Sequence, residues 1–271
     1  MEQGFQPFGP LRMTFVLAMF RVEGVVDDRR GRHRPQNDTN FIDRRPPSPL
    51  VAGIRLAVFD MDGVIVRNTN SWRAVHDAFG TSNEEGLRLF MSGKIDDHEF
   101  IRRDIELWRG AKGKLHHDDV ARVLATFHPE PAAADLFGAF HRAGITTAIV
   151  SGGLEPLARR IGEALSVDRV FCNGLEVDRE GYLTGHGKVG VPLRKKGELV
   201  VRLREGLGLT RSDVVAFGDT SIDIPMFRES GLGIAVDPKD EETRRAASVV
   251  VPDLGSAIPI VNELIDRDRS G

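Results

Sequence analysis

Asp60 and Asp62 stand two residues apart at the end of an apolar run, with Gly63 behind them. Two residues apart on an extended chain puts both side chains on one face. Paired carboxylates can divide the work: one attacks as an anion while the other gives and takes a proton. Gly63 lets the chain turn sharply after them. Ser151, Gly152 and Gly153 fall between a second apolar run and a helical pattern. A helix N-terminus offers unpaired N–H groups and partial positive charge, and a Ser hydroxyl adds a donor, so this stretch suits a phosphate. Lys195 and Lys196 open another helical pattern, a poor place for cations beside the helix dipole. A bound anion would relieve that misfit. Asp219 and Asp223 follow a third apolar run. With Asp60 they make an oxygen-only set suited to Mg2+. Such a cluster would repel an anionic substrate unless a divalent cation and a lysine are also present. Singly, each feature has an ordinary explanation as a turn, a helix cap or a solvated lysine pair.

The elements that must position these residues are legible as patterns. Ile54 to Phe59, Ile145 to Val150 and Val214 to Phe217 read as buried parallel strands, each with polar residues at its C-terminal end. Gly233 to Val236 and Ser248 to Val251 read as two more. Helical patterns cover Leu154 to Leu165, Gly197 to Leu207, Ile222 to Glu229 and Leu254 to Asp266. Alternating strands and helices predict an α/β fold, a doubly wound parallel sheet that binds ligands at its C-terminal strand ends. Residues 70–144 break the alternation with five helical patterns and no strand, which predicts an inserted helical cap. The core is then expected at 51–69 and 145–271. Gly174 to Gly185 reads as a hairpin turning at Glu180 and Gly181.

Composition narrows the classes. With 41% hydrophobic and 28% charged residues the 271-residue chain can bury a core, which excludes fibrous and wholly disordered classes. A net charge of −3 is too close to neutral to predict nucleic-acid binding. No run of about 18 apolar residues predicts a membrane span. The single cysteine, Cys172, cannot form an internal disulfide or a cysteine-based zinc site, which predicts a reducing, cytoplasmic compartment. Met13 to Phe20 is apolar but is soon ended by Arg21 and Glu23, unlike a secretory signal. Asp27 to Pro49 is charged and carries four prolines, so residues 1–50 are expected to be a disordered or loosely ordered tail.

The combination resembles the haloacid dehalogenase superfamily of hydrolases. The matching motifs are FDMDGV at Phe59 to Val64, VSGG at Val150 to Gly153, KKGELV around Lys196, and GDTSIDIPMF at Gly218 to Phe227. The resemblance spans about Ile54 to Asp266 and is nearest to the phosphoserine phosphatase-like branch. It implies an Mg2+-dependent phosphomonoester hydrolase working on a small phosphorylated metabolite. Asp60 would attack phosphorus and form an aspartyl-phosphate, and Asp62 would protonate the leaving alcohol and then activate water. Ser151, Gly152 and Lys196 would hold the phosphoryl oxygens. Mg2+ would be bound by Asp60, the backbone carbonyl of Asp62, and Asp219, while Asp223 would orient Lys196 or a metal-bound water. Two departures bear on substrate. Where that branch carries a Glu after the first motif, this chain has Arg67, Asn68 and Thr69, and where it carries an Arg in the cap an ungapped reading gives Asp104, just after Arg102 and Arg103. Glu84 or Glu85 could supply the acid instead. Ile222 also replaces the Asn usual in the fourth motif. The alternatives are a phosphotransferase or phosphomutase of the same superfamily, and a catalytically idle regulatory module.

Overall fold

The computed structural model describes residues 43–44 and 53–269. In chain order the elements are β1 (Asp43–Arg44), β2 (Leu56–Phe59), α1 (Ser71–Phe79), α2 (Glu84–Met91), α3 (Asp97–Lys112), α4 (His117–Leu124), α5 (Pro131–Arg142), β3 (Thr146–Leu154), α6 (Glu155–Ala164), β4 (Arg169–Val177) and β5 (Leu183–Lys188). They continue with α7 (Lys196–Gly206), β6 (Val214–Gly218), α8 (Ile224–Arg228), β7 (Leu232–Val236), α9 (Glu241–Ala246), β8 (Val249–Val251) and α10 (Leu254–Arg269). The strand order is β1-β8-β7-β6-β2-β3-β4-β5. Strands β8 to β4 run parallel, and only the edge pairs β1–β8 and β4–β5 are antiparallel. From β2 the chain winds one way to β3 and β4, and later the other way through β6, β7 and β8. The reversal lies at β2, and in such sheets the crevice at the reversal is where ligands bind.

Alternation along β2 explains its central place. Leu56 and Val58 face one apolar layer with Val150, Ala216 and Met226, while Ala57 and Phe59 face the other. Phe59 stacks on Phe217 with ring centroids 4.3 Å apart and on Phe137 at 4.5 Å. A fully buried aromatic at such a junction costs about 3–5 kcal/mol when cut back to alanine. The strand therefore cannot slip, and its last residue fixes where Asp60 begins.

Residues 71–142 contain five helices and no strand. Helix α5 packs on β3 and α10, with the sheet. Helix α1 packs on both α3 and α4, and Trp108 of α3, fully buried, stacks on Trp72 of α1 at 5.5 Å. The hairpin β4–β5 meets this helical group: α3 lies along β5, and Leu183 N–H donates to Leu115 O at 2.9 Å.

Three details differ from the sequence patterns. Strand β3 does not stop at Val150 but runs through the two glycines to Leu154, because Leu154 re-pairs with Asn173 of β4 after a register shift. Strand β4 starts at Arg169, five residues before the expected hairpin, in parallel pairing with β3. Asp43 and Arg44, inside the stretch read as a tail, pair with Val250 and Val249 of β8. The rest of that reading, and the apolar stretch at 13–20, lie outside the described residues. Among the described residues no helix is long and apolar enough to cross a membrane.

Candidate active site

The C-terminal ends of β2 and β6, and the register shift of β3 just beyond its pairing with β2, bring Asp60, Asp219 and Ser151 to one edge of the sheet. Asp60 N–H donates to Phe217 O at 2.9 Å, which extends the β2–β6 pairing by one residue. The chain then folds into a tight loop, with Val66 N–H donating to Met61 O and Gly63 N–H to Val66 O, both at 2.9 Å. Gly63 has φ +85°, and a Cβ there would collide with the Asp219 carboxylate. Glycine is thus required both by conformation and by the approach of the third carboxylate.

Lys196 is the first residue of α7 and is 2% exposed. Its Nζ lies 2.7 Å from Asp223 Oδ1 and 3.0 Å from Asp60 Oδ1. Burial alone would lower its pKa, but Asp223 and then Asp60 outweigh that and hold it above the usual lysine range. The misplaced cation at a helix start is therefore a buried counter-ion. Asp223 is fully buried, and its Oδ2 accepts from the N–H groups of Asp219 (3.0 Å) and Thr220 (3.1 Å). Both its oxygens are occupied, so it orients Lys196 and folds the loop after β6.

The carboxylates of Asp60, Asp219 and Asp223 have oxygens within 4.8 Å of one another. Burial pushes Asp60 above the ordinary carboxylate range, against the pull of Lys196 and with added repulsion from Asp223; burial likewise pushes Asp219 well up, with Asp223 and then Asp60 adding repulsion. Asp219 Oδ1 is buried with no hydrogen-bond partner, and Asp60 Oδ1 faces Lys196 without hydrogen-bond alignment. Unpaired buried carboxylate oxygens are costly. A hard divalent cation accepted by oxygen ligands fits this donor set, with Asp60 and Asp219 supplying the free oxygens.

Asp62 is half-buried as a residue, yet its Oδ1 is enclosed and unpartnered. Its Oδ2 accepts from Ser71 N–H at 2.8 Å and Ser71 Oγ–H at 2.7 Å. Burial pushes this carboxyl up to about 7, against the pull of the two Ser71 donors, and Asp60 adds repulsion. It is poised to exchange a proton near neutrality. Sequence reasoning missed Ser71; the available signal was Asn70 and Ser71 capping α1 eight and nine residues beyond Asp62.

Ser151 is buried, and its Oγ accepts from Gly153 N–H at 3.1 Å. Its hydroxyl also holds the Asp60 carboxyl down against the rise from burial. The Gly152 carbonyl accepts from Trp72 Nε1–H at 2.9 Å and Asn173 Nδ2–H at 3.3 Å, which binds this strand end to α1 and β4. Lys195, expected beside Lys196, is exposed and pairs with Glu198. Ile222 is half-buried in the turn before α8.

Five of the residues singled out for substrate recognition, Arg67, Glu85, Arg102, Arg103 and Asp104, are engaged elsewhere. Arg67 donates to Pro252 O at 2.9 Å and pairs with Glu130 at 3.5 Å. Asp104, 3% exposed, joins His76 Nε2 at 2.9 Å and accepts from Asn83 Nδ2 at 2.7 Å, which ties α1 to α3. Arg102 and Arg103 both pair with Glu99, and Glu85 pairs with Arg88. A second group of potential metal donors, His116, His117 and Asp118, lies at the start of α4. His116 Nδ1 caps that helix by accepting from Asp118 N–H, and its Nε2–H donates to Glu180 O at 3.0 Å, so the ring serves as a cap and a hairpin tether.

The sequence model of the haloacid dehalogenase-like hydrolases matches residues 57–228. A probable phosphoserine phosphatase of Schizosaccharomyces pombe is 32% identical over 210 residues, 75% of this chain and 68% of that one. The phosphoserine phosphatase of Methanocaldococcus jannaschii is 30% identical over 185 residues, 67% of this chain and 84% of that one. Among solved structures, a phospho-aspartyl intermediate analogue of phosphoserine phosphatase superposes with a TM-score of 0.66 at 26% identity. It covers 77% of this chain and 99% of that chain.

Proposed function

Because this chain belongs to the haloacid dehalogenase-like hydrolases and is a phosphatase, we propose that it hydrolyses a small phosphomonoester through an aspartyl-phosphate on Asp60. The observation that carries this reading is the pairing of Lys196 with both Asp60 and Asp223 at the edge where Asp62 and Asp219 also gather. The cation favours the anion of the attacking carboxylate against the rise that burial imposes. In the first half-reaction an Asp60 oxygen bonds to phosphorus while the bond to the alcohol oxygen breaks, and Asp62 gives that oxygen its proton. In the second half-reaction Asp62 takes a proton from water, the water oxygen bonds to phosphorus, and the Asp60–phosphorus bond breaks to release phosphate. Ser151 Oγ, the Gly152 backbone and Lys196 hold the phosphoryl oxygens, and Asp223 keeps Lys196 in place. Such transfers depend mainly on positioning and charge stabilisation.

Asp60, the backbone carbonyl of Asp62, and Asp219 would hold Mg2+, which when bound neutralises phosphoryl charge. The likeness to a phospho-aspartyl intermediate analogue of phosphoserine phosphatase supports the covalent route. Within the helical insertion, α1 to α4 serve as the cap, whereas α5 packs on the sheet with the core, and α1 brings Trp72 onto the Gly152 carbonyl. The partner is a small phosphorylated metabolite, not nucleic acid or membrane, and the lone half-buried thiol of Cys172 suits a cytoplasmic protein.

The test is phosphate release from p-nitrophenyl phosphate. Chelation should remove it, Mg2+ should restore it, and Asp60→Asn should abolish it. An Asp60→Asn variant within tenfold of the wild type would end this reading.

A further inference from the structure

The strongest unassigned feature is the buried serine that opens the helical insertion. Ser71 is fully buried and is the first residue of α1, with Asn70 as the cap before it. Its N–H and its hydroxyl both donate to one oxygen of Asp62, at 2.8 and 2.7 Å. The same hydroxyl accepts from Leu154 N–H at 2.9 Å. With its proton committed to Asp62 and its lone pair to the backbone of β3, the hydroxyl has one orientation. The other oxygen of Asp62 is enclosed and unpartnered. Gly153 makes the arrangement possible, since a Cβ there would lie 2.9 Å from Asp62 Oδ2, 3.0 Å from Ser71 Oγ and 2.6 Å from Met61 Cε.

We infer that Ser71 is a positioning residue for proton transfer: it locks one oxygen of Asp62 so that the other faces the leaving group. This rests on the reading of Asp62 as the acid and base. The chemistry is specific. A carboxyl that protonates a leaving oxygen must present one oxygen along the breaking bond, and a displacement of about 1 Å can cost on the order of a hundredfold in rate. Removing the Ser71 hydroxyl leaves the backbone donor but frees the carboxylate to rotate.

The test uses the full chain with Mg2+ and compares kcat/KM for p-nitrophenyl phosphate and phenyl phosphate. Phenolate is the poorer leaving group, so its departure depends more on a proton donor. A variant that merely folds less well loses both activities alike. Removing general-acid help from phenolate should raise the p-nitrophenyl to phenyl ratio about a hundredfold in Asp62→Asn, and misdirecting it should raise the ratio about tenfold in Ser71→Ala. A Ser71→Ala ratio within twofold of the wild type, with Asp62→Asn raised, would overturn the inference and leave the acid assignment standing. An unchanged ratio in Asp62→Asn would overturn the acid assignment itself, and the inference with it.

Discussion

Replacing Lys196 with methionine keeps the volume of a fully buried side chain and deletes its charge. At an effective dielectric constant of about 20, contacts of 2.7 and 3.0 Å each contribute about 6 kcal/mol of attraction. Desolvating the ammonium and two carboxylates opposes most of that. Breaking a buried pair by removing one partner costs about 3–5 kcal/mol net, because the remaining charges are stranded. Here the stranded groups can protonate, so the cost depends on pH. Without Lys196, Asp60 loses the cation that favours its anion, and its folded-state pKa rises further. A raised carboxyl pKa removes stability as pH rises from the unfolded value of about 4. Lys196→Met should therefore be destabilised by about 3–5 kcal/mol at about pH 8 and by much less at about pH 5. Urea unfolding in chelator at both values measures this. Hydrolysis of p-nitrophenyl phosphate should fall at least about 10²–10³-fold at either pH, since a charge stabiliser for the phosphoryl group is gone. A penalty below about 1 kcal/mol at the higher pH, the size of an exposed pair, would refute the placing of this lysine as the buried counter-ion.

Gly153→Ala should lower kcat/KM for p-nitrophenyl phosphate by at least about tenfold, because its Cβ would press on Asp62, Ser71 and Met61 within 3.0 Å; steady-state kinetics checks it. Asp62→Asn should flatten the pH dependence of stability in chelator. Asp62 in the fold holds its proton up to about 7, whereas the unfolded chain releases it near the ordinary 3.8. The wild type therefore loses stability relative to the variant as pH rises between those values, by on the order of 4 kcal/mol at most, and urea titrations across that window read the difference. L-Phosphoserine should be a poorer substrate, by kcat/KM, than at least one other phosphomonoester in a panel of phosphorylated amino acids, sugars and nucleotides. A zwitterion needs partner charges, and Arg67, Arg102, Arg103 and Asp104 are bound to protein partners instead.

Much of the site was legible because its residues sit where the chain changes character. Asp60 and Asp219 each follow an uninterrupted apolar run, and burial on both sheet faces is what makes such runs apolar. Lys196 announced itself by being wrong for its position: a cation at a helix start needs an anion, and the structure supplies two. The continuation of β3 through Ser151 to Leu154 was not legible, because glycines read locally as a turn, while the pairing that keeps them extended comes from Asn173 about twenty residues on. The parallel part of β4 was hidden because its apolar stretch, Val170 to Cys172, is only three residues long and half-buried, between exposed Arg169 and polar Asn173. Ser71 was invisible for a different reason. Its local signal is an ordinary helix start, and its partners Asp62 and Leu154 are nine and 83 residues away. Asp104 likewise reads as a surface acid on a polar helix until His76 and Asn83 enclose it.

The covalent step on Asp60 can be observed without knowing the physiological substrate. Borohydride reduces an aspartyl-phosphate to homoserine and leaves a free aspartate untouched. The enzyme is mixed with p-nitrophenyl phosphate and Mg2+, quenched in acid during turnover, reduced, and mapped by peptide mass. Homoserine at residue 60, absent without substrate and absent in Asp60→Asn, is the predicted result. An unmodified Asp60 in an enzyme that is turning over, or the label on Asp62 instead, would contradict the account.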